Sequence, residues 1–295
     1  MKRGIKLINI KIIKKEDKEF PEKLLKIKDS PEKLYVLGDE SLLNKKSIAI
    51  IGSRDCTQYG YDQAKKFARE LAKEDICIVS GMAIGIDSAA HIGAKGQKGK
   101  TIAVLGSGFN NIFPEENEEL FYSILKQGGC IITEYAPDVK PAYNNFPSRN
   151  RIVSGLTEGV LVVEAKYRSG TSITAKYAKQ QGKKIFCIPS NLDITTGVGT
   201  GKLIQEGAKL VLSPNDILLH IGVQVGTQEF VEEIEPEVNE EYKDVYGVLS
   251  KIPTNVNEIC KKANKTIVEV NTTLTMLELE GIVKQVGVNE FIKVR

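Results

Sequence analysis

From Ser47 onward the chain alternates short, unbroken apolar runs with amphipathic stretches. The runs fall at 47–51, 76–79, 101–105, 130–133, 160–163, 184–188 and 209–212, and helical patterns at 61–72, 88–94, 115–126, 173–181 and 203–206 separate most of them. Strands that are apolar on both faces belong in a parallel sheet covered by helices on each side. The pattern therefore predicts an α/β fold, an extended Rossmann-like three-layer domain with a mostly parallel sheet over 45–222. Residues 1–44 are lysine-rich and weakly periodic, with Pro21 and Pro31 breaking them up. A short helix at 22–27 and a strand at 34–37 are expected there, as an extension that leans on the core without forming a domain.

Beyond the α/β pattern, 223–241 is rich in glutamate and poor in apolar residues, which predicts a solvated acidic linker. Helical patterns follow at 242–249, 256–263 and 266–279, then strand patterns at 282–285 and 290–294 around Gly287. Three helices and a terminal hairpin predict a small C-terminal winged helix-turn-helix domain over 242–295. Its third helix holds Glu269, Asn271, Thr272, Thr273 and Glu278 and is not basic. DNA reading by this module and docking of a protein therefore stand level.

Composition changes this picture little. At 41% hydrophobic and 27% charged residues the chain has an ordinary globular composition. No apolar run is long enough to span a bilayer, and Ile5 to Ile13 is interrupted by Lys6, Asn9 and Lys11, unlike a signal peptide. Cys56, Cys77, Cys130, Cys187 and Cys260 show no short pairing, and Cys77, Cys130 and Cys187, in apolar strand-like runs, read as reduced core thiols of a cytoplasmic protein. With them, only His91 and His220 are available as ligands of the zinc-site type, so no metal site and no cofactor are expected. A net charge of +3 is too small to argue for nucleic acid, so the placement of charge must decide.

In an open parallel sheet, the loops leaving the carboxyl ends of the strands share one rim, and ligands bind there. This chain delivers Gly52-Ser53-Arg54 after the first strand of the domain and the glycine-rich 80–87 after the second. Gly106-Ser107-Gly108 follows the third, 146–151 follows the fourth through a long loop, and 164–171 follows the fifth. The sixth strand leads to 189–191 and the glycine-rich 197–201. Small residues let a phosphate reach backbone amides, Ser169-Gly170-Thr171 opens a helix, and Arg54, Arg149, Arg151, Lys166 and Arg168 add positive charge. Tight turns explain each loop singly but not the arginines that accompany them. A ligand bearing phosphates explains both.

The stretch 145–155 sits in the middle of this rim. Ser148 reads as an N-cap, which puts Arg149, Asn150 and Arg151 in the first helical turn. Cations there oppose the macrodipole, unless an anion meets them or carboxylates of the protein pair with them; both readings stand. Two residues apart, the arginines point about 200° apart around a helix. One is expected to meet the ligand, the other to brace the loop against Glu164 or Asp87.

Other chemistry finds less support. Gly106-Ser107-Gly108 lacks the third glycine of a dinucleotide fingerprint, and no P-loop lysine motif is present. Asp87 and His91 stand one helical turn apart, like an acid–base pair, but Asp87 as a first-turn cap with His91 packed against it is the commoner arrangement. Glu164 could hold one of the arginines or contact a ligand, and the structural pairing is the favoured reading.

Taken in order, Gly52-Ser53-Arg54, 80–87 with Ala90-His91, 146–156, Val163-Glu164-Ala165, Ser169-Gly170-Thr171 with 173–175, and 203–208 resemble the DNA-processing protein A (DprA, or Smf) family. The resemblance covers residues 20–220. It implies a Rossmann core that forms a homodimer, binds single-stranded DNA with little sequence preference, and loads RecA recombinase onto it in natural transformation, without catalysis. On this sequence it makes Arg54, Arg149, Arg151 and Lys166 phosphate ligands, with the amides of Gly52 and Gly170. Ser53, Gly81, Asn150, Ser169 and Thr171 complete the nucleic-acid site, and base stacking falls to Phe146, Tyr143, Tyr167 or Phe109. The segment 242–295 resembles the winged helix of some members. The competing class is a nucleotide-processing enzyme of the phosphoribohydrolase type on a related fold. Those enzymes resemble one another in a Pro-Gly-Gly-x-Gly-Thr loop followed by a glutamate, whereas Arg168-Ser169-Gly170-Thr171-Ser172 has no glutamate in the next turn.

Overall fold

The computed structural model describes residues 10–167, 169–191, 193–224, 236 and 238–294. Two compact units are present, Met1–Val225 and Gly226–Arg295. The first runs β1 (Lys11–Lys14), α1 (Glu22–Leu25), β2 (Lys33–Gly38), β3 (Ser47–Ile51), α2 (Gln58–Lys73), β4 (Cys77–Ser80), α3 (Ile86–Ala94), β5 (Thr101–Val104), α4 (Glu118–Lys126) and β6 (Cys130–Thr133). It continues with α5 (Asn145–Gly155), β7 (Gly159–Val162), α6 (Gly170–Gln180), β8 (Lys184–Cys187), α7 (Val198–Gln205), β9 (Lys209–Leu210) and α8 (Pro214–His220).

One nine-stranded sheet holds the unit together, in the order β1-β2-β6-β5-β4-β3-β7-β8-β9. From β6 to β9 every pairing is parallel. The period of two along β3 sorts its side chains between layers. Ile48 and Ile50 face a core with Ala64, Phe67, Ala68 and Leu71 of α2 and Ala89 and Ala90 of α3. Ala49 and Ile51 face the opposite core with Leu24, Ile152, Val153 and Ala178 from α1, α5 and α6. Spacings of three and four on α2 make the stripe that fits this surface, and each fully buried Ile or Leu contributes about 1.5–3 kcal/mol. These are the three predicted layers.

The extension before Ser47 does more than lean on the core. β2 pairs antiparallel with β6, Tyr35 opposite Thr133, and β1 pairs antiparallel with β2. Leu34, Tyr35, Val36 and Leu37 are all buried, so β2 is a covered member of the sheet. The short helix at α1 is as expected, but β1 was not foreseen, because only Ile13 of its Lys-Ile-Ile-Lys run is buried.

Chain direction matters for function. β3 to β6 step outward along one half of the sheet, and β7 returns to pair on the other side of β3. The strand order therefore reverses between β3 and β7, which opens a crevice at their carboxyl ends. Among the described residues no helix is long and apolar enough to cross a membrane.

The second unit contains α9 (Lys243–Val248), β10 (Thr254–Asn255), α10 (Val256–Ala263), α11 (Ile267–Leu279), β11 (Val283–Gly287) and β12 (Glu290–Lys293). Its antiparallel sheet has the order β10-β12-β11, and Val245, Ile259, Val270, Leu274, Leu277 and Phe291 fill its core. Thr266 and Glu269 cap α11 reciprocally. This is a winged helix, with β10 added to the predicted elements. Most of the predicted acidic linker, 225–235 and 237, lies outside the described residues.

Candidate nucleic-acid interface

Helix α5 begins at Asn145, not at Ser148. A turn from Asn145 N to Ala142 O, followed by Ser148 N to Asn144 O, starts the spiral earlier. Pro147 fits the first turn because no N–H is required of it there. Arg149 and Arg151 consequently stand beyond the first turn, so the dipole argument does not apply to them.

The arginines diverge as the helical angle predicts, but their partners differ from those expected. Arg151 donates to Glu134 through two nitrogens, Nη1 to Oε1 at 2.6 Å and Nη2 to Oε2 at 2.7 Å, and through Nε to Asp29 O at 2.7 Å. It braces α5 against the end of β6 and does not line the crevice. Neither Glu164 nor Asp87 holds it. Glu164 is fully buried and accepts from Thr57 N at 2.9 Å and from Thr57 Oγ1, which fixes the start of α2. Thr57 precedes α2 and presents two donors to a carboxylate that no arginine reaches among the described residues.

Arg149 points inward and is 5% exposed. Its Nη1 donates to Gly81 O at 2.6 Å and to Val104 O, tying α5 to the ends of β4 and β5. Asp87, in the first turn of α3, accepts from Gly81 N at 3.0 Å and Ala83 N at 3.4 Å. Gly81 lies between them: a Cβ there would come within 2.7 Å of Arg149 Nη2 and 2.8 Å of Asp87 Oδ2. Burial presses the Arg149 guanidinium down to about 10, with Asp87 opposing. Burial raises the Asp87 carboxyl, against the pull of Arg149.

His91 is not Asp87's partner. Its Nδ1 lies 2.7 Å from Thr101 Oγ1, which itself donates to Ile78 O, so Nδ1 carries the proton. The side chain belongs to the packing of α3 on β5.

A crevice of about 910 Å³ occupies the switch point between β3 and β7. Gly52, Ser53 and Arg54 line it after β3, and Gly81 after β4. Phe146, Arg149 and Asn150 contribute from α5, and Lys166, Ser169, Gly170 and Thr171 from the end of β7 and the start of α6. Among the described residues, every predicted site residue except Arg151, Tyr167 and Phe109 thus lines this one space. Arg168 lies outside the described residues. The loop after β5 supports the crevice through Gly106, which packs under the Phe146 ring, and adds Phe113 to its lining, while after β8 Gly199 N donates to Ala165 O at 2.8 Å.

Anion-binding features gather at α6. Ser169, its N-cap, makes no capping bond, and its hydroxyl is buried without a partner among the described residues. Gly170 has open space where a Cβ would project. Unpaired N–H groups and the positive end of the helix therefore face the crevice. Arg54 is exposed across from them, and Lys166 pairs with exposed Asp55 at 2.9 Å. Of the stacking candidates, Phe109 is wholly buried, while Tyr143 lines the crevice at 87% exposure. Tyr167 is exposed and does not line it, and Phe146 is half-buried against Phe113, with ring centroids 5.4 Å apart. Sequence reasoning missed Asp55, Phe113 and Lys176 as lining residues. Lys176 was detectable, since it stands two helical turns after Ser169.

A family model described as DNA recombination-mediator protein A matches residues 11–222, and one described as the DprA winged helix domain matches 232–287. The chain belongs to the DprA family. Protein Smf of Escherichia coli (strain K12) is 37% identical over 279 residues, covering 92% of this chain and 75% of that protein. DNA processing protein DprA of Bacillus subtilis (strain 168) is 41% identical over 201 residues, covering 68% and 67%. Among solved structures, DprA from Streptococcus pneumoniae aligns with a TM-score of 0.69 at 38% identity, over 74% of this chain and 76% of that one. DNA processing protein A from Helicobacter pylori, described for its single-stranded DNA binding mode, aligns at 0.65 and 31% identity, over 72% and 96%.

Proposed function

We propose that this DprA-family chain binds single-stranded DNA in the β3–β7 crevice, without catalysis, and passes the strand to RecA recombinase in natural transformation. One observation carries the reading: exposed Arg54 and Lys166 converge with the uncapped start of α6 on a single crevice. Arg54, Lys166 and Lys176 follow the phosphates, the Ser169 hydroxyl and the α6 amides take one phosphate, and Tyr143 and Phe146 stack on bases. A strand held by its backbone keeps most base edges open for the pairing that a recombinase performs. A homodimer would double the contacts on one strand and gain from the effective concentration. Exposed Leu210, Leu212 and Leu219 around β9 and α8 supply apolar surface for it. Reduced, separate cysteines suit a cytoplasmic setting.

Anisotropy titrations with single-stranded and duplex DNA across a salt series test this. With three cations on phosphates, log affinity for the single strand should fall with log salt at a slope of about −2. Arg54→Ala should weaken binding about tenfold on any sequence and reduce that slope by about 0.7. Salt-independent binding, or full affinity in Arg54→Ala, would overturn the proposal. The phosphoribohydrolase reading would use Glu164, which is buried on Thr57 and does not line the crevice. Base release from nucleotides that Glu164→Gln abolishes would restore it.

A further inference from the structure

Helix α11 is the third helix of the winged module, the element that such modules lay in a major groove. From Thr266 to Val283 it and its flanks hold Glu269, Glu278 and Glu280 and no lysine or arginine. Val270, Leu274 and Leu277 bury its inner side. The outer side repeats at four, three and four residues through Val268, Thr272, Thr275 and Leu279, the spacing of a heptad seam. Val268 is 70% exposed and Leu279 78%. The threonines join this seam as apolar groups. Each hydroxyl donates back into the helix, Thr272 Oγ1 to Val268 O at 2.9 Å and Thr275 Oγ1 to Asn271 O at 2.8 Å, leaving the methyls outward. Exposed Met276 widens the seam on one side. Glu269 and Glu278 occupy the flanking positions where paired helices match charges. Both are fixed there, Glu269 by Thr266 N at 2.8 Å and Glu278 by Gln285 N at 3.0 Å.

We infer that this face docks a helix of a partner protein, one with an apolar seam at heptad spacing and lysine or arginine along its flanks. The stretch from Val268 to Leu279 gives about 16 Å of helix, three turns of contact. Duplex DNA is opposed along this face, since phosphates there would meet Glu269 and Glu278, with lysines only beyond its two ends at Lys265 and Lys284. Nothing here depends on the crevice of the other unit, which differs in residues and in sign of charge.

The test uses the full-length chain and anisotropy of a labelled synthetic helix with leucines at the seam and lysines at the flanks. The same peptide with glutamate flanks and a DNA duplex run beside it. The lysine-flanked peptide should bind at least about tenfold tighter than the glutamate-flanked one. Val268→Ser with Leu279→Ser should abolish that binding while single-stranded DNA affinity and melting temperature hold. If the double variant folds poorly, Glu269→Gln with Glu278→Gln serves instead and should erase the difference between peptides. Equal affinity for both peptides, binding of neither, or duplex binding that Asn271→Ala removes would overturn the inference.

Discussion

The two sides of the crevice place the same residue types in opposite circumstances. On the side built from the β3–α2 and β7–α6 loops, exposed Arg54 makes no hydrogen bond or ion pair among the described residues, and Lys166 holds only exposed Asp55. On the α5 side, Arg149 is buried on backbone carbonyls, and Arg151 is locked to Glu134 with side-chain exposures of 13% and 18%. An arginine near a ligand site is thus not by that fact a ligand. Its role follows from whether the protein has already supplied its acceptors. Arg149 stands between the cases, lining the crevice while its Nη1 serves the fold.

The largest effect is expected at Arg149. Arg149→Ala strands Asp87 and two carbonyl oxygens in a buried site, so a loss of about 3–5 kcal/mol in denaturant unfolding is expected. Unchanged stability with lost DNA affinity would move Arg149 to the exposed group. Next comes pH. Burial first, and the Arg149 charge second, hold the His91 imidazole down to about 3. The unfolded chain takes up that proton near 6.5 and the folded chain does not, so stability should fall as pH drops from 6.5 toward 3. Thermal melts across that window should show a flatter decline in His91→Gln. Arg151→Ala should remove about 2–3 kcal/mol of stability while each folded molecule keeps its DNA affinity. Matched melts and titrations decide this, and an affinity loss at unchanged stability would contradict the brace. The smallest effect is expected at Asp55. Asp55→Asn releases Lys166 from an exposed pair, and affinity for single strands should rise about two- to threefold. A weaker complex would mean that Asp55 positions Lys166 for the strand.

The parallel core was legible because β3, β4, β5, β6 and β7 are buried on both faces and read as unbroken apolar runs. The crevice was legible for a topological reason, since the rim is fixed once the strands and their direction are known. What sequence could not supply was pairing between side chains distant along the chain. Arg151 and Glu134 are separated by 17 positions and Glu164 and Thr57 by 107, and no local pattern encodes either contact. β1 was hidden because an edge strand with one buried residue has no period to detect. The start of α5 was misread because Ser148 has the chemistry of a cap, while the turn at Ala142 begins the helix without one.

The ends of the large sheet have a consequence of their own. β1 is four residues long with Lys11 and Lys14 at its ends, and β9 is two residues long and begins with Lys209. Short, charged borders offer a poor template for another chain's strand. A copy of this protein that associates with it would therefore meet side chains and helices rather than extend the ladder of the nine described strands.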